Sequence, residues 1–444
     1  GAVVATSTVS IMILDDGPQI TRTDEDIESL RTDDGALADG NTGGDISDTA
    51  EAKNVFNVVY GADGPGLIPY TDGDRQGNFV GKAFAFGDPK GADSGLRDTL
   101  TGNVIYLFSN EAQSEVTGSI VIHEVIEGVP KDRYEKVFIL NLDPIDGTIA
   151  LTQIRAIWHD ASDPTVGGTN ELQVLNPALG VLKVNIFAAD GDDDVAIASL
   201  DLRGKIAFGD DVPVVDLQEA ELPTLTQTDA GTETGNGESQ SADAGTFATT
   251  FQVSFGADGA KMSLTGDGEG QSLQPDGMRY GLNFEEGANT GLKDTATGGD
   301  ITLHTNPVTG NVEGQAADGT PIFTLSINEL TGEVTLTQQG AIQHLTTDGA
   351  PNELQTLAAG AISVVATATD GDLDTAENSF DLGGKIAFGD DVPVVNLQDT
   401  ELPTLTQTDA GIDKGNGDSQ SADAGTFATT FQVSFGADGA KMSL

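Results

Sequence analysis

The 444 residues carry a formal net charge of −51, with 37% hydrophobic and 5% aromatic residues and no cysteine. Such a surface excludes nucleic acid and anionic membrane as partners, because both are polyanions. The lack of any run of about 18 apolar residues excludes a transmembrane helix, so no membrane insertion is expected.

So many uncompensated charges oppose compaction, and high salt or bound cations must relieve them. Calcium is the natural candidate where aspartates cluster, since it takes several carboxylate and carbonyl oxygens. A secreted chain without disulfides needs another staple, and metal can serve. No signal peptide is present and Gly1 falls mid-pattern, as expected of a fragment of something longer.

Read in chain order, the sequence repeats itself. "MILDDGPQI" at Met12 returns in outline as "GKIAFGDDVPVV" at Gly204 and again at Gly384. "FNVVYGADG" at Phe56 matches "FQVSFGADG" at Phe251, and "SGLRDTLTG" at Ser94 matches "TGLKDTATG" at Thr290. "LTQIRAIWH" at Leu151 matches "LTQQGAIQH" at Leu336. Residues 210–264 and 390–444 align without a gap and differ at seven of 55 positions. The organisation is therefore 1–14, the last strand of a preceding repeat; 15–209, repeat one; 210–389, repeat two; and 390–444, the truncated start of repeat three.

Repeat one is longer, mainly around Val121 to Lys136 and Asp160 to Asn170. Insertions in repeat proteins collect in surface loops, and these are expected to be tolerated loops; a private binding function would belong there.

Several segments alternate as half-buried strands do: Thr246 to Gly256, Pro321 to Glu329, Ala361 to Asp370, and Asn328 to Gln338 with a turn at Thr331-Gly332. With 57 glycines and turn signals every 8–12 residues, the expectation is an all-β chain. The fold class predicted is tandem Ig-like or cadherin-like β-sandwich repeats forming an elongated rod. Each repeat is one enlarged sandwich with extra hairpins, or else two small ones.

Two acidic signatures recur. "DGDxD" places Asp190, Asp192 and Asp194 in repeat one, and Asp370, Asp372 and Asp374 in repeat two, at an expected hairpin tip. Aspartate alternating with glycine in a turn lets carboxylates converge on one point, as a calcium site requires. "DDxP" places Asp15 and Asp16, Asp210 and Asp211, and Asp390 and Asp391 after a strand and before the next repeat, where proline stiffens the connection. A long strand-like stretch should put Asp194 and Asp210 at opposite ends of repeat one. Asp15 and Asp16 are therefore paired with 190–194, and Asp210 and Asp211 with 370–374. Asp390 and Asp391 would lack their partner. The competing reading is a solvated acidic surface, and the "GADG" turns at Asp63, Asp258 and Asp438 are read as plain turn chemistry.

The order "GLxDTxTG", "LTQ", "ATDGDxD" and "DLGGKIxFGDDxP" resembles the tandem repeats of large, type I-secreted RTX adhesins of Gram-negative bacteria. The resemblance spans essentially the whole chain. It implies calcium-dependent β-sandwich arrays at the cell surface, a role in surface attachment or biofilm formation, and a ligand-binding module elsewhere whose ligand is unknown. The glycine-rich "GGxGxD" block and the C-terminal secretion signal of such proteins are not in this sequence, so secretion by that route rests on resemblance alone.

Catalytic signatures are missing: no "GxSxG" and no phosphate loop occurs. Of the four histidines, His159 and His344 align between repeats. Without cysteine or an H-x-x-x-H pair, packing or capping is expected of them rather than zinc binding. Trp158 is expected in the core rather than stacked on a sugar. The function expected is a non-enzymatic extender stiffened by Ca2+, with neighbouring repeats of the same chain as its partners. A self-assembling surface layer or filament subunit is the alternative, and a carbohydrate-binding module a further one.

Overall fold

The structure is a computed structural model that describes residues 12, 14–41, 43–72, 75–126, 129–159, 172–232, 242–265, 272–344, 354–407 and 425–440. The strand expected over 1–14 lies almost wholly outside these residues, and the insertion expected at 160–170 lies outside them entirely. Among the described residues the regular elements are strands and short 3-10 turns, with no α-helix. That follows from a composition rich in β-branched residues and broken by glycine.

Repeat one is built on a six-stranded antiparallel sheet. Its order is Ser47–Glu51, Thr148–Gln153, Val129–Leu142, Glu115–Ile126, Val104–Ser109 and Ala92–Arg97. Thr148–Gln153 buries every second residue, the period-2 pattern of a sheet with one face on a core. Facing it are two three-stranded sheets, Leu172–Val174 with Ile206–Gly209 and Leu30–Asp33, and Val195–Asp201 with Lys183–Ala189 and Lys82–Phe86. Side chains from both layers, among them Leu107, Phe138, Leu151, Phe86, Val184 and Phe208, form one continuous core. Repeat one is thus a single enlarged sandwich.

Phe138 and Phe208 meet across the layers with ring centroids 5.1 Å apart. Gly118 makes room for the ring, since a Cβ there would stand 2.1 Å from the Phe138 edge. Repeat two copies this arrangement. Phe323 and Phe388 also lie 5.1 Å apart, and a Cβ on Gly314 would stand 2.1 Å from Phe323. Its six-stranded sheet runs Asp243–Thr246, Glu333–Gln338, Pro321–Ile327, Val312–Gln315, Asp300–Thr305 and Asn289–Lys293.

Each repeat closes on itself with a parallel pair. Ile206–Gly209 pairs in parallel with Leu30–Asp33, and Ile386–Gly389 with Leu225–Thr228. Because parallel partners end on the same side, the residue after each closing strand emerges beside the residue after the opening strand. Asp210 thereby meets Asp34, and Asp390 meets Asp229.

Three sequence expectations change. The run 246–256 is not one strand: Asp243–Thr246 and Phe251–Ser254 belong to different sheets, and Ala248–Thr250 forms a 3-10 turn between them. Buried Phe247, whose N–H donates to the Gly332 carbonyl, pins that corner. The insertion at 121–136 is no loop but a ribbon, in which Glu115–Ile126 and Val129–Leu142 shift register once at Gly118/Ser119 and then pair out to Ile126 and Val129. Trp158 is half-buried rather than in the core, and lines a cavity of about 330 Å³ beside Asp258.

Compact bodies and sequence repeats are different partitions of the chain. One body comprises Gly1–Val214, Val253–Gly277 and Ala368–Ala376; the other comprises Val215–Gln252, Met278–Thr367 and Glu377–Leu444. No helix among the described residues is long and apolar enough to cross a membrane.

Candidate metal centre

The centre lies within the first body, at the end where Leu30–Asp33 and Ile206–Gly209 finish. Asp34 opens a 3-10 turn there and is fully buried. Gln153 Nε2 donates to one of its oxygens and the Ile157 N–H to the other, at 2.9 Å. Burial pushes its carboxyl up to about 8. Asp210, 2% exposed, follows the parallel partner strand.

His159 closes the segment that begins at Ile157, which bridges to Asp98. Its Nε2 lies 3.2 Å from the Phe208 carbonyl. A carbonyl only accepts, so Nε2 carries the hydrogen. Nδ1 then faces Asp210 Oδ1 at 3.2 Å and Asp372 Oδ2 at 3.7 Å. The His159 backbone N–H also donates to Asp372 Oδ2, at 3.1 Å. Burial opposes a charge on this ring, but Asp210 and Asp372 more than offset it and hold the imidazole at about 11.

The acidic loop 370–374 is folded tightly. The Asp374 N–H donates to Asp370 Oδ1 at 2.8 Å, and the Asp370 N–H to the Asp374 carbonyl at 3.1 Å. Leu373 takes φ +89°, a left-handed conformation costly for any residue but glycine, and Asp193 takes φ +73° at the same place in repeat one. A β-bridge between Ala260 and Asp370 seats the loop on the turn that contains Asp258. One oxygen of Asp370, one of Asp372 and both of Asp258 are buried without meeting a donor at hydrogen-bonding geometry, with the Thr99 hydroxyl alongside Asp258. Burial, then the charge of Asp372, raises Asp258 to about 9 and Asp370 to about 10. Ligand atoms of Asp370, Asp372 and Asp374 lie within 4.8 Å of one another, as do those of His159, Asp210 and Asp372.

Elements of this centre recur at the other two DDxP positions. Asp15, Asp192 and Asp194 form one group and Asp15, Asp16 and Asp63 another, all of them exposed. Asp190 is fully buried, with one oxygen lacking a donor. Its hydrogen bond to Asp192 raises Asp192 to about 6, and the Asp15 charge raises Asp194. In the second body Asp229, His344 and Asp390 converge. His344 Nδ1 lies 3.6 Å from Asp229 Oδ2 and 3.6 Å from Asp390 Oδ1, while its Nε2 lies 3.2 Å from the Phe388 carbonyl. Asp390 therefore has partners, contrary to the expectation of an isolated pair. Asp229 is raised to about 7 by burial.

In each DDxP the first aspartate joins a carboxylate group and the second caps the "GADG" turn, with Asp16 also belonging to the exposed group of Asp15 and Asp63. Ala62 N–H donates to Asp16, Ala257 N–H to Asp211 at 2.9 Å, and Ala437 N–H to Asp391. The turn glycine permits this approach: Gly256 has φ +71°, and a Cβ on it would stand 2.3 Å from Asp211 Oδ2.

Sequence reasoning missed Asp34, Asp229, Asp258 and the two histidines as members of these groups. The aspartate that follows the opening strand in both repeats, Asp34 after Leu30–Asp33 and Asp229 after Leu225–Thr228, and the alignment of His159 with His344 were the available signals. Chemically, a carboxylate shut away from water without donors must take a proton or a cation. Oxygen-only groups such as 370–374 suit a hard cation, with Asp258 beside them.

A family model described as Domain of unknown function (DUF5801) matches twice, over residues 29–203 and 224–383. No curated protein matches the chain. Solved structures with some similarity include protocadherin gamma B2 extracellular cadherin domains 1–5, at 12% identity over 86% of this chain and 54% of that one, with a TM-score of 0.17. Another is the protocadherin gammaB7 EC3-6 cis-dimer structure, at 10% identity over 84% and 77% of the two chains, with a TM-score of 0.16. The chain thus spans about half the length of the first, and both scores are too low to bear on its fold.

Proposed function

The chain belongs to the DUF5801 family, matched in two copies, and from that premise we propose that it is a non-enzymatic extender segment of a bacterial cell-surface adhesin. Calcium stiffens its inter-repeat joints, and the array projects a ligand-binding module for surface attachment or biofilm formation. Ca2+ is taken by the DGDxD loop with the buried carboxylates around it. Extracellular calcium, cell-surface location and type I secretion as an RTX adhesin belong to the same reading.

One observation carries it. Asp258, Asp370 and Asp372 gather buried oxygens without donors beside Asp210, which starts the connection between repeats. A cation supplies the missing partner to all of them at once. The near-identity of 210–264 and 390–444 supports a spacer, whose action improves with copy number as an active site's does not.

Small-angle scattering with Ca2+ and with chelator, alongside thermal melts, tests the proposal. The expected outcome is a more flexible particle and a lower melting temperature in chelator. Superimposable profiles and melts would sink the metal joint.

A further inference from the structure

We infer that His159, Asp210 and Asp372 hold a second, chemically different ion, a first-row divalent cation of the zinc class, and that His344, Asp229 and Asp390 form its counterpart in repeat two. The inference stands apart from the extender reading and shares with it only two aspartates, Asp210 and Asp372.

The imidazole is the decisive group. Its Nε2–H is committed to a backbone carbonyl in both repeats, Phe208 and Phe388. That is how a metal-ligating histidine is oriented, with the other nitrogen left to bind. His159 is 2% exposed and His344 is 9% exposed, and Nδ1 of each is buried with no hydrogen-bond partner while aimed between two carboxylates.

Spacing agrees with an ion between the ligands. A charged N–H···O bond closes to about 2.7–2.9 Å. Here the Nδ1–O separations are 3.2 and 3.7 Å in one repeat and 3.6 and 3.6 Å in the other. Two ligands each about 2.0–2.2 Å from a tetrahedral zinc stand roughly 3.4 Å apart. Calcium prefers oxygen throughout, whereas imidazole with carboxylate suits zinc, cobalt, nickel or copper. Sequence spacing hid the site because its donors come from three remote segments rather than from one H-x-x-x-H helix turn. Asp372 also belongs to the oxygen-only group, so its carboxylate would serve both ions.

The test uses the 444-residue chain, stripped with chelator and returned to excess Ca2+. Titration with Co2+ should show two tightly bound equivalents with visible d–d absorption, and His159→Gln should remove one. Because that variant alters a buried position, 15N-histidine NMR of the unaltered chain provides a second reading. Zn2+ should shift Nδ1 of two of the four histidines. His123→Gln and His304→Gln, at residues outside the groups, should leave both shifts in place. The inference is overturned if the resonances that move belong to His123 and His304, which would be adventitious surface binding. It is equally overturned if Co2+ is not taken up and His159 keeps both nitrogens protonated, for then an imidazolium is the resident cation. Melts in Ca2+ without transition metal report separately on the calcium joint.

Discussion

Asp258 carries two buried oxygens with no donor, a condition stable only with a proton or a cation on it. Replacing it by asparagine removes the charge while keeping the shape. Asp258→Asn should stabilise the chelated protein by about 1 kcal/mol, a rise of roughly 2–4 °C in melting temperature for a repeat of this size, and should weaken the response to Ca2+. A lower chelated melt with an undiminished calcium response would contradict this. Gly314→Ala pushes a Cβ into the Phe323 ring and should cost about 1–3 kcal/mol in denaturant unfolding. At this scale the sequence was half legible. Alternating Asp and Gly announced the 370–374 loop, because that local pattern itself makes the convergence. Asp258 was hidden inside a turn signal that any glycine-rich hairpin shows. His159 was hidden by distance, its Asp372 partner lying 213 residues away.

Strand periodicity was readable where a segment stays in one sheet, as in Ser363–Thr369, while in Pro321–Ile327 the alternation is broken by Ile322 and Phe323, both buried. It failed at 246–256, where the chain turns from one sheet into another and the alternation continues across the corner. Parallel closure of each repeat was not readable at all, since partners such as Thr226 and Ala387 are remote and no local pattern distinguishes parallel from antiparallel pairing in four-residue strands. Phe388 on the closing strand packs on Phe323. Phe388→Ala should cost about 3–5 kcal/mol, and hydrogen exchange should show 386–389 and 225–228 losing protection together. If 225–228 stayed protected, the two strands would not be acting as one unit.

For the molecule as a whole, the raised carboxyls set a pH dependence. Asp34, Asp258 and Asp370 move up from 3.8 to about 8, 9 and 10, and His159 from 6.5 to about 11. The folded state therefore holds more protons than the unfolded state between these limits. Stability is fully present below the unfolded values and is lost as pH rises through the folded ones. Self-repulsion of the −51 charge acts in the same direction. In chelator the melting temperature should fall from about pH 6 to about pH 10, and saturating Ca2+ should flatten the fall by replacing protons with cations. A chelated melt that climbs over this range would refute the burial-driven shifts. The parallel closing pair has a further, mechanical consequence. Leu30 stands opposite Ile206, and Asp33 opposite Gly209, so the chain enters the pair at one end and leaves it at the other. Tension applied to the two ends of a repeat slides these strands past each other and loads their hydrogen bonds together in shear. It cannot unzip them singly, so a handful of bonds at the rim guards the whole core against a pull.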